Sequence, residues 1–127
     1  MIKAPKIAVL AEHCPIVAWD LEHQLQHSEW TVHTATSTRE VFALCSQHYP
    51  DLLLLPCGFH SGTDDLQLAN QIRRSFQIPI IFVTANEDEF FHRCPDFYFG
   101  HEILYKPFSR CQFKATLQEA HRRSQFA

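Results

Sequence analysis

The chain reads Asp51-Leu-Leu-Leu-Leu-Pro56 and then Cys57-Gly58-Phe59-His60-Ser61-Gly62 near its centre. The run from Asp51 to Leu55 follows a turn-forming Tyr49-Pro50 pair and does not alternate, which is the pattern of a parallel strand covered on both faces. In an open α/β sheet, ligands lie beyond the carboxyl ends of the strands, so the residue that ends this run faces any site built there. That residue is Pro56. Proline has no nucleophilic or acidic group and no backbone N–H, so this position neither accepts a transferred group nor binds a cation through its side chain.

Outward from this run, strand patterns alternate with helix patterns, which predicts one doubly wound α/β domain over residues 1–127 with five strands and five helices. Lys6 to Ala11 is the first strand, and Pro15 opens a helix to about Ser28 with Ala18, Leu21 and Leu25 on its core face. Trp30 to Ala35 alternates as an edge strand does, and Ser37-Thr38-Arg39-Glu40 is a capping box for a second helix with Val41, Leu44 and Cys45 inward. Gly62 to Asp65 turns and caps a third helix with Leu68, Ala69, Ile72 and Phe76 as its stripe. Ile78 to Thr84 is the fourth strand, Asn86 to Cys94 a short helix stopped by Pro95, and Glu102 to Tyr105 the fifth strand. Ser109 to Gln112 caps a last helix carrying Phe113, Leu117 and Ala120 inward.

Composition narrows the function classes. The net charge is −3 and Lys and Arg are scattered, so no basic stripe supports nucleic-acid binding. The Arg73-Arg74 and Arg122-Arg123 pairs fall late in helices, where they favour the helix dipole. No run approaches the roughly 18 apolar residues of a membrane span, and no signal-peptide core opens the chain, so a cytoplasmic protein is expected. Five cysteines without CxxC spacing read as buried free thiols, and most of the nine histidines, set beside polar residues, read as solvated helix faces.

The order of motifs resembles the receiver domain of bacterial two-component response regulators from about Lys6 to Arg123. That family has an acidic pair after strand one, an aspartate ending strand three, Thr or Ser then Ala after strand four, and Lys-Pro after strand five. Here the matching positions hold Glu12-His13, Pro56, Thr84-Ala85 and Lys106-Pro107-Phe108. Pro50-Asp51, Gly62 and Ile78-Pro79 match as well. The resemblance implies a flavodoxin-like sheet of order 2-1-3-4-5, a signalling face on helix four, strand five and helix five, and a cis bond between Lys106 and Pro107. It also exposes the departures: Pro56 replaces the phosphate-accepting aspartate, His13 replaces the second acid of the Mg²⁺-holding pair, and Ile103 replaces the switch aromatic. Imidazole is a poor ligand for a hard cation, so Glu12 alone should not hold Mg²⁺.

The expected site is therefore a degenerate phosphorylation pocket of Glu12, His13, Pro56, Thr84 and Lys106, with Thr84 as a helix cap and Glu12 paired to Lys106. No cofactor and no metal is expected. The expected function is that of a pseudo-receiver, which binds proteins rather than acting as an enzyme. Its partner surfaces are Ile16 and Trp19 on the first helix, for a sensor kinase, a phosphotransfer protein or another regulator, and Phe90, Phe91 and Tyr98 around the fourth, for a possible homodimer. Two readings of another kind stand beside it: a ligand, pH, redox or metal sensor built from His13, Cys14, Cys57 and His60, and a phosphoreceiver that uses Asp64.

Overall fold

The computed structural model describes residues 6–26, 30–56, 63–84 and 102–126. Along them run β1 (Lys6–Ala11), α1 (Pro15–Gln26), β2 (Trp30–Ala35), α2 (Thr38–His48), β3 (Leu52–Pro56), α3 (Thr63–Phe76), β4 (Ile80–Thr84), β5 (Glu102–Tyr105) and α4 (Arg110–Phe126). The five strands form one parallel sheet in the order β2-β1-β3-β4-β5. The short helix read over residues 86–94 lies outside the described residues.

Two apolar layers sandwich the sheet, and strand alternation assigns residues to them. Val9, Leu53, Leu55 and Phe82 point into one layer, against Val41 and Cys45 of α2 and Leu68, Ala69 and Ile72 of α3. Ala8, Leu10, Leu52, Leu54 and Ile81 point into the other, against Ala18, Leu21 and Leu25 of α1 and Phe113 and Ala120 of α4. Both faces of β3 are thus covered, which is why its sequence is an unbroken leucine run. The inward stripes expected for the helices are those observed, with Leu44, Phe76 and Leu117 at the partly exposed margins.

Three local expectations change on pairing. The central strand starts at Leu52, not Asp51, because Asp51 bends to exchange bonds with one residue of β1. Its N–H donates to the Ile7 carbonyl (2.7 Å), and its carboxylate accepts from the Ile7 N–H (2.9 Å). The fourth strand starts at Ile80 rather than Ile78: Pro79 has no N–H for the ladder, although its carbonyl accepts from Leu53 N–H (3.0 Å). The free thiols divide. Cys45 is buried, and burial pushes its thiol up to about 11, whereas Cys14 and Cys111 are exposed. Cys111 sits two residues before the inward Phe113, hence on the far side of α4.

The caps follow the sequence closely. At α4 the box closes both ways, with Gln112 N–H donating to Ser109 Oγ (3.1 Å) and Ser109 N–H to Gln112 Oε1 (2.8 Å). At α2 only half closes: Ser37 Oγ accepts from Glu40 N–H (3.1 Å), but the Glu40 carboxylate accepts from Thr36 Oγ1 (2.7 Å) instead of reaching the cap backbone. Both α2 and α3 end on left-handed residues that are not glycine, Tyr49 at φ 48° and Gln77 at φ 55°, each donating its N–H back into the last turn.

Candidate functional site

Because all five strands are parallel, their carboxyl ends lie on one edge of the sheet, and four of the five pocket residues of the sequence reading stand at strand ends there. Glu12 follows β1, Pro56 ends β3 in register with Val83, Thr84 ends β4 in register with Tyr105, and Lys106 follows β5. Backbone bonds fix the outer two: Glu12 N–H donates to Ala35 O (2.9 Å) and Lys106 N–H to Thr84 O (2.8 Å). The Lys106–Pro107 peptide is cis, as expected.

Pro56 is buried, and the ladder explains how a central strand tolerates it. In a parallel ladder, residues bond alternately to the two neighbouring strands. Leu53 bonds toward β4, so Leu52, Leu54 and Pro56 turn toward β1. The β1–β3 register ends at Leu10 and Leu54, so the missing N–H of Pro56 falls one step beyond the registered pairs, at the end of the strand rather than within its ladder.

Glu12 and Lys106 do not pair directly, contrary to the expectation from sequence. The half-buried Glu12 turns its carboxylate to the start of α1, where Oε1 accepts from Cys14 N–H (3.1 Å). An acid there also meets the positive end of the helix dipole. Lys106 is half-buried on the far side of the pocket. Two strands stand between β1 and β5, and at 4.7–4.9 Å per strand that is a span of about 14 Å for the two side chains to close.

This donor set does not fit the divalent cation that the resemblance implies. Glu12 is engaged with the backbone, His13 is exposed and offers nitrogen, and Pro56 offers no side-chain ligand, so a hard ion lacks its oxygen shell. Among the described residues no group of three or more His, Cys, Asp or Glu is placed to hold a metal. Of the alternative sensor set, His13 and Cys14 are exposed beside the pocket, while Cys57 and His60 lie outside the described residues. The side chain of Asp64 and the helix that Thr84 was expected to cap lie outside them too. Thr84 itself is 7% exposed.

On α1, Ile16 is 79% and Trp19 59% exposed, on the side away from Ala18, Leu21 and Leu25, as read from the helical spacing. His23, one turn on, lays its ring on that of Trp19, with centroids 3.9 Å apart. Phe90, Phe91 and Tyr98 lie outside the described residues. Sequence reasoning missed the Asp51 tie to β1 and a stacked His33–His48 pair; neither leaves a signal in local spacing, because each joins residues from separate elements.

A five-stranded, doubly wound parallel sheet of order 2-1-3-4-5 defines a flavodoxin-like receiver fold. The chain belongs to the response regulator receiver domain family, whose model matches residues 8–118. Solved structures agree on the fold. The signal receiver domain of a modulated diguanylate cyclase from Desulfovibrio desulfuricans is 20% identical with a TM-score of 0.76, the match covering 94% of this chain and 96% of that one. A response regulator from Thermotoga maritima is 16% identical with a TM-score of 0.75, covering 94% and 99%. The chemotaxis protein CheY4 of Vibrio cholerae is 21% identical with a TM-score of 0.73, covering 92% and 99%. Among the described residues no helix is long and apolar enough to cross a membrane.

Proposed function

We propose that this receiver domain is a pseudo-receiver: it signals by binding another protein, without phosphorylation at the end of its central strand. The observation that carries this reading is the buried Pro56 at the end of β3, where phosphoryl transfer needs a carboxylate. The diverted Glu12 and the imidazole of His13 add to it, since neither replaces the lost cation site. The exposed Ile16 and Trp19 supply the contact surface, an apolar pair on an otherwise polar helix face. The partner is a sensor kinase, a phosphotransfer protein or another regulator, and the aromatic stretch of Phe90, Phe91 and Tyr98 serves a possible homodimer. On this reading the protein is cytoplasmic, is not an enzyme, and uses no cofactor, metal, nucleic acid or membrane.

Incubation with acetyl phosphate and Mg²⁺ should leave the protein's mass unchanged. Uptake of a phosphoryl group that persists after Asp64→Ala and Asp65→Ala would overturn the reading. For the partner recovered from native extract, Trp19→Ala should weaken binding by at least about 1–2 kcal/mol, roughly tenfold, as expected of an aromatic anchor at an interface centre. Unchanged affinity in titration calorimetry would place the docking surface elsewhere.

A further inference from the structure

Away from the strand-end pocket, two histidines meet at the sheet's edge. His33 lies on β2, the first strand in the sheet order, and His48 is the last residue of α2. Their rings stack with centroids 3.8 Å apart and planes at 10°. Both are half-buried. His33 is in register with Val9 and so projects toward α2, in the layer that holds Val41 and Cys45. The lone pairs of imidazole lie in the ring plane, so two parallel rings do not converge on one ion, and the pair is not a metal site.

We propose that the His33–His48 stack is an acid-released clasp that fastens the C-terminal turn of α2 to the edge strand. Neutral rings stack favourably and the pair tolerates a single proton, but a second proton sets two positive charges face to face in a half-buried seam. Among the described residues, the surroundings supply no counter-charge. On α2, Glu40 stands eight residues from His48, about 12 Å along the axis, and its carboxylate is engaged by Thr36; Arg39 lies beside it. Cys45 is a neutral buried thiol. From β1, the residues on this face are Ile7, Val9 and Ala11, and the Asp51 carboxylate next to β1 is taken by the Ile7 N–H. Lys6 lies over the Trp30 ring, and Glu22 accepts from Thr34, both on the opposite face of the sheet.

Burial, and then the charge of His48, hold the His33 imidazole below its ordinary value. The folded chain therefore binds this proton less well than the unfolded chain does. The clasp is fully effective above the ordinary imidazole value of about 6.5 and weakens as the pH falls through it. The turn it secures is one that needs securing: Tyr49, directly after His48, is 78% exposed and left-handed at φ 48°, held by its N–H bond to Cys45 O (3.1 Å). Acid is thus expected to loosen this cap and change the surface around Tyr49.

Histidine NMR titration combined with amide exchange tests the clasp. His33 should titrate below an ordinary imidazole. Protection of the Tyr49 amide, corrected for intrinsic exchange, should fall about tenfold or more between about pH 7.5 and pH 5. His48→Phe keeps a ring in the stack but removes its charge, so the His33 imidazole should titrate higher than in the native protein and Tyr49 should keep its protection in acid. A His33 titration unmoved by His48→Phe, pH-independent protection in the native protein, or acid opening that survives His48→Phe would each overturn the proposal.

Discussion

Pro56→Asp with His13→Asp should turn a protein that takes up no label from acetyl phosphate and Mg²⁺ into one that does, whereas Pro56→Asp alone should restore little. The single change supplies a carboxylate at the end of β3, where the strand register already places its neighbours. It leaves His13 where a metal ligand belongs, and without the cation a phosphoryl group of about −1.5 to −2 charge would lie on the same edge as Glu12. The double change adds a second acid beside Glu12, and cation binding can then compete with the Cys14 N–H for the Glu12 carboxylate. Thr84 and Lys106 already stand at the ends of the next two strands. The fold should accept the substitution at 56, because the register of β3 with β1 ends at Leu54, before this position, and the restored N–H faces the β1 side of the strand. Intact-mass spectra of the native chain and both variants provide the check. Equal labelling of the single and double variants would show that His13 is not what blocks the cation.

Phe82→Ala should cost about 3–5 kcal/mol, the usual range for emptying the site of a fully buried aromatic. Phe82 is 0% exposed and lies in register between Leu55 of β3 and Ile103 of β5, in the core layer on the α2–α3 side of the sheet. A domain of this size has a total stability of about 5–15 kcal/mol, so the loss takes a large share of it. By contrast, Ile16→Ala, at a site 79% exposed, should stay within about 0.5 kcal/mol. Urea unfolding followed by circular dichroism measures both. A Phe82→Ala loss below about 1 kcal/mol would mean that the sheet layer repacks around the void, against the close packing inferred for it.

Much of this molecule was legible in the residues themselves. The leucine run, the inward stripes of the helices and the box at Ser109 and Gln112 rest on local periodicity and short-range bonds, which the chain encodes within a few residues. The blank at Pro56 needs only the identity of one side chain. The strand order came from the resemblance to receivers, since periodicity says that strands exist but not which ones pair.

Tertiary structure decided what depends on register and on residues far apart in the chain. Asp51 reads as part of the strand until Ile7 stands beside it and draws its carboxylate into a bend. Glu12 and Lys106 read as natural partners, yet a nearer backbone N–H satisfies the acid while two intervening strands hold the lysine off. Pro56 reads as a blank at the strand end, and only the register shows that its missing N–H falls past the last paired residues of β1 and β3. The stack of His33 on His48, fifteen positions apart in sequence, exists because β2 lies at the sheet's edge and α2 ends over it. Sequence spacing sets which face a side chain takes on its own element; which group it meets on another element is fixed only when the sheet assembles.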